Sequence, residues 1–172
     1  MAEDEAKLYL QASTMETWAP CGQTLVVRAD PKREHTSFYG SLDLKTGRVF
    51  VSQTQQMNAQ TTVEHLQTLL TAYPEQPILL LWDRAPWHRG PAIRKLIADN
   101  PRLTLVEFPV ASPDLNPQEH VWRAARRRVC HNHTVRRLPD LAARFTQFLQ
   151  STTFPSSFLE RFGWYLVRPG FT

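Results

Sequence analysis

Two carboxylates stand beside strong structural signals in the middle of the chain. Asp83 directly follows the apolar run Ile78–Trp82, and Glu119 follows the pair Asn116 and Pro117. The run has no polar alternation, which is typical of a strand buried on both faces, and open α/β sheets carry their functional groups at such strand ends. Asn is a favoured helix N-cap and Pro a favoured first helical residue, so Glu119 falls in the first turn of a helix. We therefore expect both carboxylates at one edge of a sheet.

A third carboxylate, Asp4, precedes the alternating residues 6–10, which predict a first strand. Carboxylates gathered at one point repel each other and raise each other's pKa unless a cation joins them. Hard oxygen ligands favour Mg²⁺ or Mn²⁺, and two such ions can activate a water or a 3′-hydroxyl and stabilise the leaving oxygen of a phosphodiester. Asp4, Asp83 and Glu119 are therefore candidate catalytic and metal-binding residues of a metal-dependent nuclease.

Each of these carboxylates also has a purely structural explanation. Glu119 is the third residue of the predicted helix, where a Glu side chain can complete a cap begun by Asn116. Asp83 is followed by Arg84, Ala85 and Pro86, and Asp is common in turns that follow strands. Asp4 lies in an acidic N-terminal segment, and such segments are usually solvated. The local sequence leaves these alternatives open.

The elements that must position the carboxylates can be read from the hydrophobic pattern. Residues 36–44 and 48–52 flank a short loop with Gly47, which predicts a hairpin, and residues 24–28 predict a short strand before it. The remaining predicted elements are amphipathic helices at Ala59–Ala72, around 93–97, at 118–129 and at 138–150, and a strand at 103–108. An antiparallel meander followed by βαβ units implies an α/β fold, a ribonuclease-H-like mixed sheet flanked by helices.

Charge is distributed unevenly along the chain. Residues 1–82 contain six Lys and Arg against nine Asp and Glu, whereas residues 83–172 contain fourteen against seven, a net of +7. Most of the basic residues in the second half are arginine, which suits bidentate contact with phosphate. The densest group is Arg123, Arg126, Arg127 and Arg128. Because Arg123 and Arg127 share a helix face with Glu119, we expect contact with a polyanion there, and a solvated helix face is the alternative.

Length and composition limit the class of protein. At 172 residues the chain is expected to form one domain, residues 1–172, with a sizeable core. No apolar stretch reaches membrane-spanning length and the N-terminus does not resemble a signal peptide, so we expect a cytoplasmic protein with no membrane partner. Cys21 and Cys130 lack metal-ligand spacing and are expected to be reduced.

Two motifs resemble a known family. The segments WDRAPWH (82–88) and SPDLNPQEHVW (112–122) are similar to motifs in the DDE catalytic domain of bacterial insertion-sequence transposases of the mariner-like superfamily. Asp83 and Glu119 match the second and third acids of that family, with 35 residues between them, and Asp4 followed by Glu5 resembles the first-aspartate motif. The similarity extends from Asp4 to about Asn132.

The resemblance implies an enzyme that cleaves DNA at insertion-sequence ends and joins the freed 3′-hydroxyl to target DNA, an integrase-like reaction, with two Mg²⁺ (or Mn²⁺) ions held by Asp4, Asp83 and Glu119. It also implies that Arg123, Arg126, Arg127 and Arg128 contact double-stranded DNA, at the transposon ends and the target. The implied assembly is a homodimer, associated with the nucleoid when bound to DNA. Met1 lies three residues before Asp4, and we expect the chain to lack an N-terminal helix-turn-helix region. A separate chain or a frameshift partner would then supply it. The alternatives are a catalytically inactive remnant that only binds DNA and a structure-selective ribonuclease-H-like hydrolase.

Several residues near the motifs depart from the family pattern or have two explanations. Arg84 stands where the family has Asn, and we expect it to contact nucleic acid phosphate or to compete with the metal. Gln118 replaces an aliphatic residue. His88 is predicted to orient either substrate phosphate or a metal ligand, and a packed structural histidine is the alternative. The tryptophans expected to pack rather than stack on bases are Trp82, Trp87 and Trp122.

Overall fold

The computed structural model describes residues 1–24, 26–27, 33–109 and 112–154. Within these ranges five strands form one mixed sheet in the order β3-β2-β1-β4-β5. The strands are β1 (Ala2–Tyr9), β2 (His35–Leu42), β3 (Val49–Thr54), β4 (Ile78–Trp82) and β5 (Leu103–Glu107). The first three pair antiparallel, whereas β4 runs parallel to both β1 and β5. The predicted antiparallel meander followed by parallel strands is thus confirmed.

In the described ranges, four α-helices lie on the two faces of the sheet. They are α1 (Ala59–Ala72), α2 (Pro91–Asp99), α3 (Pro117–Val129) and α4 (Leu138–Ser151). Neighbouring residues of β2 show which helix lies on which face, because successive side chains of a strand point in opposite directions. Phe38 packs against Phe145 of α4 with 5.2 Å between ring centroids, and Tyr39 stacks on His65 of α1. The helices α3 and α4 therefore lie opposite α1 and α2.

The strand β4 is less buried than its sequence predicts. Leu79 is 53% exposed, and Val106 on the neighbouring strand β5 is 41% exposed. The interpretation of Ile78–Trp82 as buried on both faces is therefore wrong. The exposure of Leu79 and Val106 results from the placement of α3 and α4. The buried side chains of these helices pack against β1, β2 and β3, and they leave this face of β4 uncovered in the described part of the chain.

Outside the sheet, the strand predicted at 24–28 is not found among the described residues of that segment. Thr24, Val26 and Val27 lie in no strand, so they do not form the short strand predicted at 24–28, and Leu25 and Arg28 fall outside the described residues. Both cysteines are free, as expected. Across the described ranges, every helix is too short or too polar to cross a membrane.

Candidate active site

The strand β1 sends neighbouring carboxylates to opposite faces of the sheet. Asp4 shares its face with Ala6 and Leu8, which belong to the core that α3 and α4 cover. Glu3 and Glu5 point to the other face, where Glu5 meets the short 3₁₀ turn Pro86–His88 that follows β4. Asp4 is therefore directed toward α3, the helix that carries Glu119.

The start of α3 is tied directly to β1. The Asn116 side chain accepts a hydrogen bond from the Gln118 backbone N–H at 3.0 Å and donates one to the Glu3 carbonyl at 2.8 Å. This N-cap fixes the first turn of the helix beside the strand position of Asp4. The helix α1 has a complete capping box, whereas α3 has only the Asn116 half, so capping does not account for the Glu119 side chain.

A glycine allows α3 to approach β1 and β2 closely. Gly40 is the cross-strand partner of Asp4, so the two residues face the same side of the sheet. A Cβ built on Gly40 would overlap the ring of Trp122 and would lie 2.5 Å from Gln118 Nε2. Trp122 and Gln118 flank Glu119 along the helix, and both are fully buried. The absence of a side chain at Gly40 thus allows the first turns of α3, which carry Glu119, to pack closely on β1 and β2.

Asp83 stands at the carboxyl end of β4, where the sequence predicted it. Its Oδ1 accepts a hydrogen bond from the Ala85 backbone N–H at 2.8 Å, so the turn explanation holds for one oxygen. The side chain is nevertheless 53% exposed and stays accessible to a ligand from solvent. A structural role and a ligand role are therefore compatible at this residue.

Asp4 lies near enough to Glu119 and Asp83 for their charges to affect its ionisation. Burial raises the pKa of Asp4 to about 8, and the negative charges of Glu119, Glu5 and Asp83 add to that rise. Its Oδ2 atom is buried and has no hydrogen-bond partner in the described part of the chain. A largely buried carboxylate with one unpartnered oxygen, placed among other carboxylates, is an environment that a divalent cation stabilises. The residues present therefore fit a divalent metal ion at this edge of the sheet.

A second acidic cluster, which the sequence motifs do not predict, lies behind this edge on the opposite face of the sheet. Ligand atoms of Glu3, Glu5 and His88 all lie within 4.8 Å of one another, which Asp4, Asp83 and Glu119 do not achieve in the described structure. Burial raises the pKa of Glu3 well above its ordinary value, with further contributions from Glu5, Asp4 and Asp83. The signal for this cluster in the sequence is the alternation of residues 3–5 (EDE) along β1, which places Glu3 and Glu5 on the face opposite Asp4.

His88 connects the two clusters. Its Nε2 lies 2.8 Å from Glu5 Oε1, and its Nδ1 lies 3.0 Å from the Asp83 carbonyl oxygen and 3.1 Å from Asp83 Oδ1. Burial lowers the pKa of His88, but its contacts with Glu5 and Asp83 outweigh burial and raise the pKa above its ordinary value. The protonated ring donates hydrogen bonds from both nitrogens. It also stacks on the Trp82 ring, with 4.2 Å between ring centroids. His88 is buried, and this geometry favours the orientation of a metal ligand over direct contact with DNA.

The basic residues predicted to contact DNA do not form one patch. Arg84 pairs with Glu107, with 2.9 Å between Nε and Oε2, at a half-exposed position. Arg123 and Arg127 are exposed on α3, and Arg126 is half-buried. Arg128 lines a separate cavity between α3 and α4. As expected for packing residues, Trp82 and Trp122 are buried in the core.

Comparison with known proteins places this site in context. Residues 2–142 match the family described as DDE superfamily endonuclease. A curated relative, the Insertion element IS630 uncharacterized 39 kDa protein of Shigella sonnei, is 24% identical over 152 residues, which cover 88% of this chain and 44% of the relative. The chain thus spans less than half the length of that relative.

Solved structures share the fold. The Mos1 Strand Transfer Complex superposes with a TM-score of 0.70 at 17% identity, over 95% of this chain and 52% of that chain. The catalytic domain of Mos1 mariner transposase gives 0.62 at 13% identity, over 95% of this chain and 75% of that one. A simian T-cell lymphotropic virus intasome gives 0.57 at 8% identity, over 90% and 50%. The sheet order, the acidic edge and the match over residues 2–142 lead to one conclusion: the chain belongs to the DDE superfamily endonuclease family.

Proposed function

We propose that this chain is the catalytic domain of an insertion-sequence transposase. It hydrolyses DNA phosphodiesters at the ends of the element and joins the freed 3′-hydroxyl to target DNA. Asp4, Asp83 and Glu119 are the catalytic and metal-binding residues. Membership of the DDE superfamily endonuclease family supports this function, and so does the set of carboxylates at the edge of the sheet.

The environment of Asp4 is the observation that carries the proposal. A carboxylate with a pKa of about 8 and a buried oxygen without a partner destabilises the folded chain unless something neutralises it. Neither a structural turn nor a helix cap requires such an arrangement. A divalent cation shared with Asp83 and Glu119 resolves it, because charge and hydrogen-bonding capacity are then both satisfied.

The chain's own residues have distinct roles in this scheme. When bound, two Mg²⁺ or Mn²⁺ ions supply activation of the attacking oxygen and stabilisation of the leaving oxygen. Asp4, Asp83 and Glu119 provide the oxygen ligands, and His88 holds the Asp83 carboxylate in place from behind. Arg123 and Arg127 bind phosphates from the exposed side of α3, with Arg126 beside them, and Arg84 is free to exchange Glu107 for a phosphate.

The proposal extends to assembly and partners. Synapsis of two element ends requires two active sites, so the working form is a homodimer on double-stranded DNA. A helix-turn-helix region, on this protein or on a partner chain, reads the sequence of the ends. The protein acts in the cytoplasm, on the DNA of the nucleoid.

Metal-dependent nicking of supercoiled plasmid tests the function. We expect nicking by the wild-type chain with Mg²⁺ or Mn²⁺ and its loss in Asp83→Asn and Glu119→Gln. Asp99→Asn is the matched control, because Asp99 is an exposed carboxylate on α2 that pairs only with Lys95 in the described structure. Nicking that survives both active-site substitutions would contradict the proposal. Preference for an RNA–DNA hybrid over duplex DNA would instead indicate a ribonuclease-H-like hydrolase.

One observation favours a second function, that of a DNA-binding remnant without catalysis. Asp83 is engaged by Ala85 and His88, and its ligand atoms do not gather with those of Asp4 and Glu119 within the distance that Glu3, Glu5 and His88 achieve. Salt-sensitive DNA binding together with no Mn²⁺ binding would establish this alternative. Mn²⁺ binding that is lost in Asp83→Asn would exclude it.

A further inference from the structure

A second basic site lies on the far side of α3. A cavity of about 320 Å³ opens between the C-terminal end of α3, the loop that follows it and α4. No carboxylate lines it among the described residues. Its polar lining consists of Arg128, His131, His133, Arg144, Gln147 and Ser151.

This cavity is distinct from the carboxylate edge. Arg128 follows Glu119 by nine residues, which is two and a half helical turns, so the two side chains leave opposite sides of α3 about 13 Å apart along its axis. The exposed residues Arg123 and Arg127 lie between them along the helix. The arginines that the sequence presents as one run therefore serve two separate surfaces.

The loop that forms one wall is held firmly in place. His131 forms a β-bridge with Ser13, and its Nδ1 lies 2.7 Å from Ser13 Oγ. Asn132 adopts a left-handed backbone with a φ of 49°, and its side chain exchanges two hydrogen bonds with the Met15 backbone, at 3.2 Å and 2.7 Å. The segment after β1 thus fixes both histidines before any ligand arrives.

One donor in this wall lacks an acceptor. His133 Nδ1 accepts a hydrogen bond from the Val135 backbone N–H at 3.2 Å, so the neutral ring carries its proton on Nε2. That Nε2 atom is buried and has no partner in the described structure. Arg128 and Arg144 likewise form no ion pair with any described carboxylate. Two exposed guanidinium groups and a buried, unpartnered N–H thus surround one cavity, a set of donors that suits an anionic acceptor.

We propose that this cavity binds a phosphate group of the DNA backbone, remote from the cleavage site. The inference rests on the proposed function, which supplies duplex DNA as the polyanion. Arg123 and Arg127 lie on the exposed side of α3 between the carboxylate edge and the cavity, so a duplex lying across the helix reaches both surfaces. The cavity positions the DNA and contributes no base recognition.

DNA binding without metal tests the proposal separately from catalysis. We would measure the affinity for a short labelled duplex in EDTA over a series of NaCl concentrations, with the double variant Arg128→Gln/Arg144→Gln. We expect affinity to fall about tenfold and the log–log salt slope to fall by about 1, the value for one phosphate contact. The control is Arg94→Gln/Lys95→Gln, which removes the same charge from α2 on the other face of the sheet.

The outcomes separate the two proposals. Equal losses in the test and control variants would show a general charge effect and overturn the cavity assignment. A specific loss in a chain that does not nick DNA would support the cavity while the catalytic proposal fails. NMR of the His133 ring during titration with inorganic phosphate identifies the ligand. The double variant could also lose phosphate binding and keep the DNA affinity of the wild-type chain. That result would assign the cavity to free phosphate and overturn the DNA assignment.

Discussion

Replacement of Asp4 by Asn is expected to stabilise the metal-free protein. Burial and the charges of Glu119, Glu5 and Asp83 raise the pKa of Asp4 from 3.8 to about 8. Because the folded-state pKa lies above the unfolded-state value, folding takes up a proton between about pH 4 and about pH 8. The free energy of unfolding therefore falls as the pH rises through this window and levels off above it. Asn carries no charge and escapes this penalty.

The size of the effect follows from the two pKa values. The rise of the Asp4 pKa from 3.8 to about 8 corresponds to a loss of stability of about 5 kcal/mol above pH 8 and about 4 kcal/mol at pH 7. Asp4 keeps some contact with solvent, which screens its charge. We therefore expect roughly half of this free energy to appear in the measured stability. The expected gain for Asp4→Asn is therefore about 2 kcal/mol at pH 7 and close to zero near pH 4.

Urea unfolding in EDTA at several pH values measures this gain. The control is Asp99→Asn, whose exposed ion pair with Lys95 should change stability by less than about 1 kcal/mol at any pH. Mg²⁺ should then raise the stability of the wild-type chain and leave Asp4→Asn unaffected, because the ligand is lost. An Asp4→Asn variant that is less stable than the wild-type chain at pH 7, or equally stable at every pH, would refute the reasoning.

Three further substitutions test the surroundings of the site. Gln118→Leu should stabilise the protein by about 1–2 kcal/mol in thermal unfolding, because both polar atoms of the buried amide lack partners in the described structure; a loss of stability would mean that the amide is satisfied. Gly40→Ala should destabilise by about 1–3 kcal/mol and weaken Mn²⁺ binding, since the added methyl group displaces Trp122; unchanged metal affinity would separate Gly40 from the site. His88→Ala should weaken Mn²⁺ binding about 10- to 100-fold in calorimetry, with partial recovery in His88→Gln; equal loss in both variants would indicate general disruption.

The parts of the fold that depend on local pattern could be predicted closely. The apolar positions of Ala59–Ala72 and the run Ile78–Trp82 gave α1 and β4 with the bounds that the structure has. The pair Asn116 and Pro117 located the start of α3, and with it Glu119, to within one residue. Periodicity and capping act over a few residues, so a single sequence carries enough information to find them.

The parts that depend on distant contacts could not be predicted in the same way. Glu5 meets His88 across 83 positions of the chain, and no local pattern in residues 3–5 shows what Glu3 and Glu5 face. The exposure of Leu79 depends on where α3 and α4 pack, not on the apolar run itself. The sequence places Arg128 in one run with Arg123, whereas the packing of α4 gives Arg128 the neighbour Arg144 in the cavity.

The position of bound Mn²⁺ tests the central claim most directly. Anomalous scattering from crystals grown with Mn²⁺ would locate the ions without relying on turnover. We predict density between Asp4 and Asp83 and between Asp4 and Glu119, on the α3 face of the sheet. Density confined to Glu3, Glu5 and His88, or no Mn²⁺ at concentrations that saturate the protein in solution, would contradict the account.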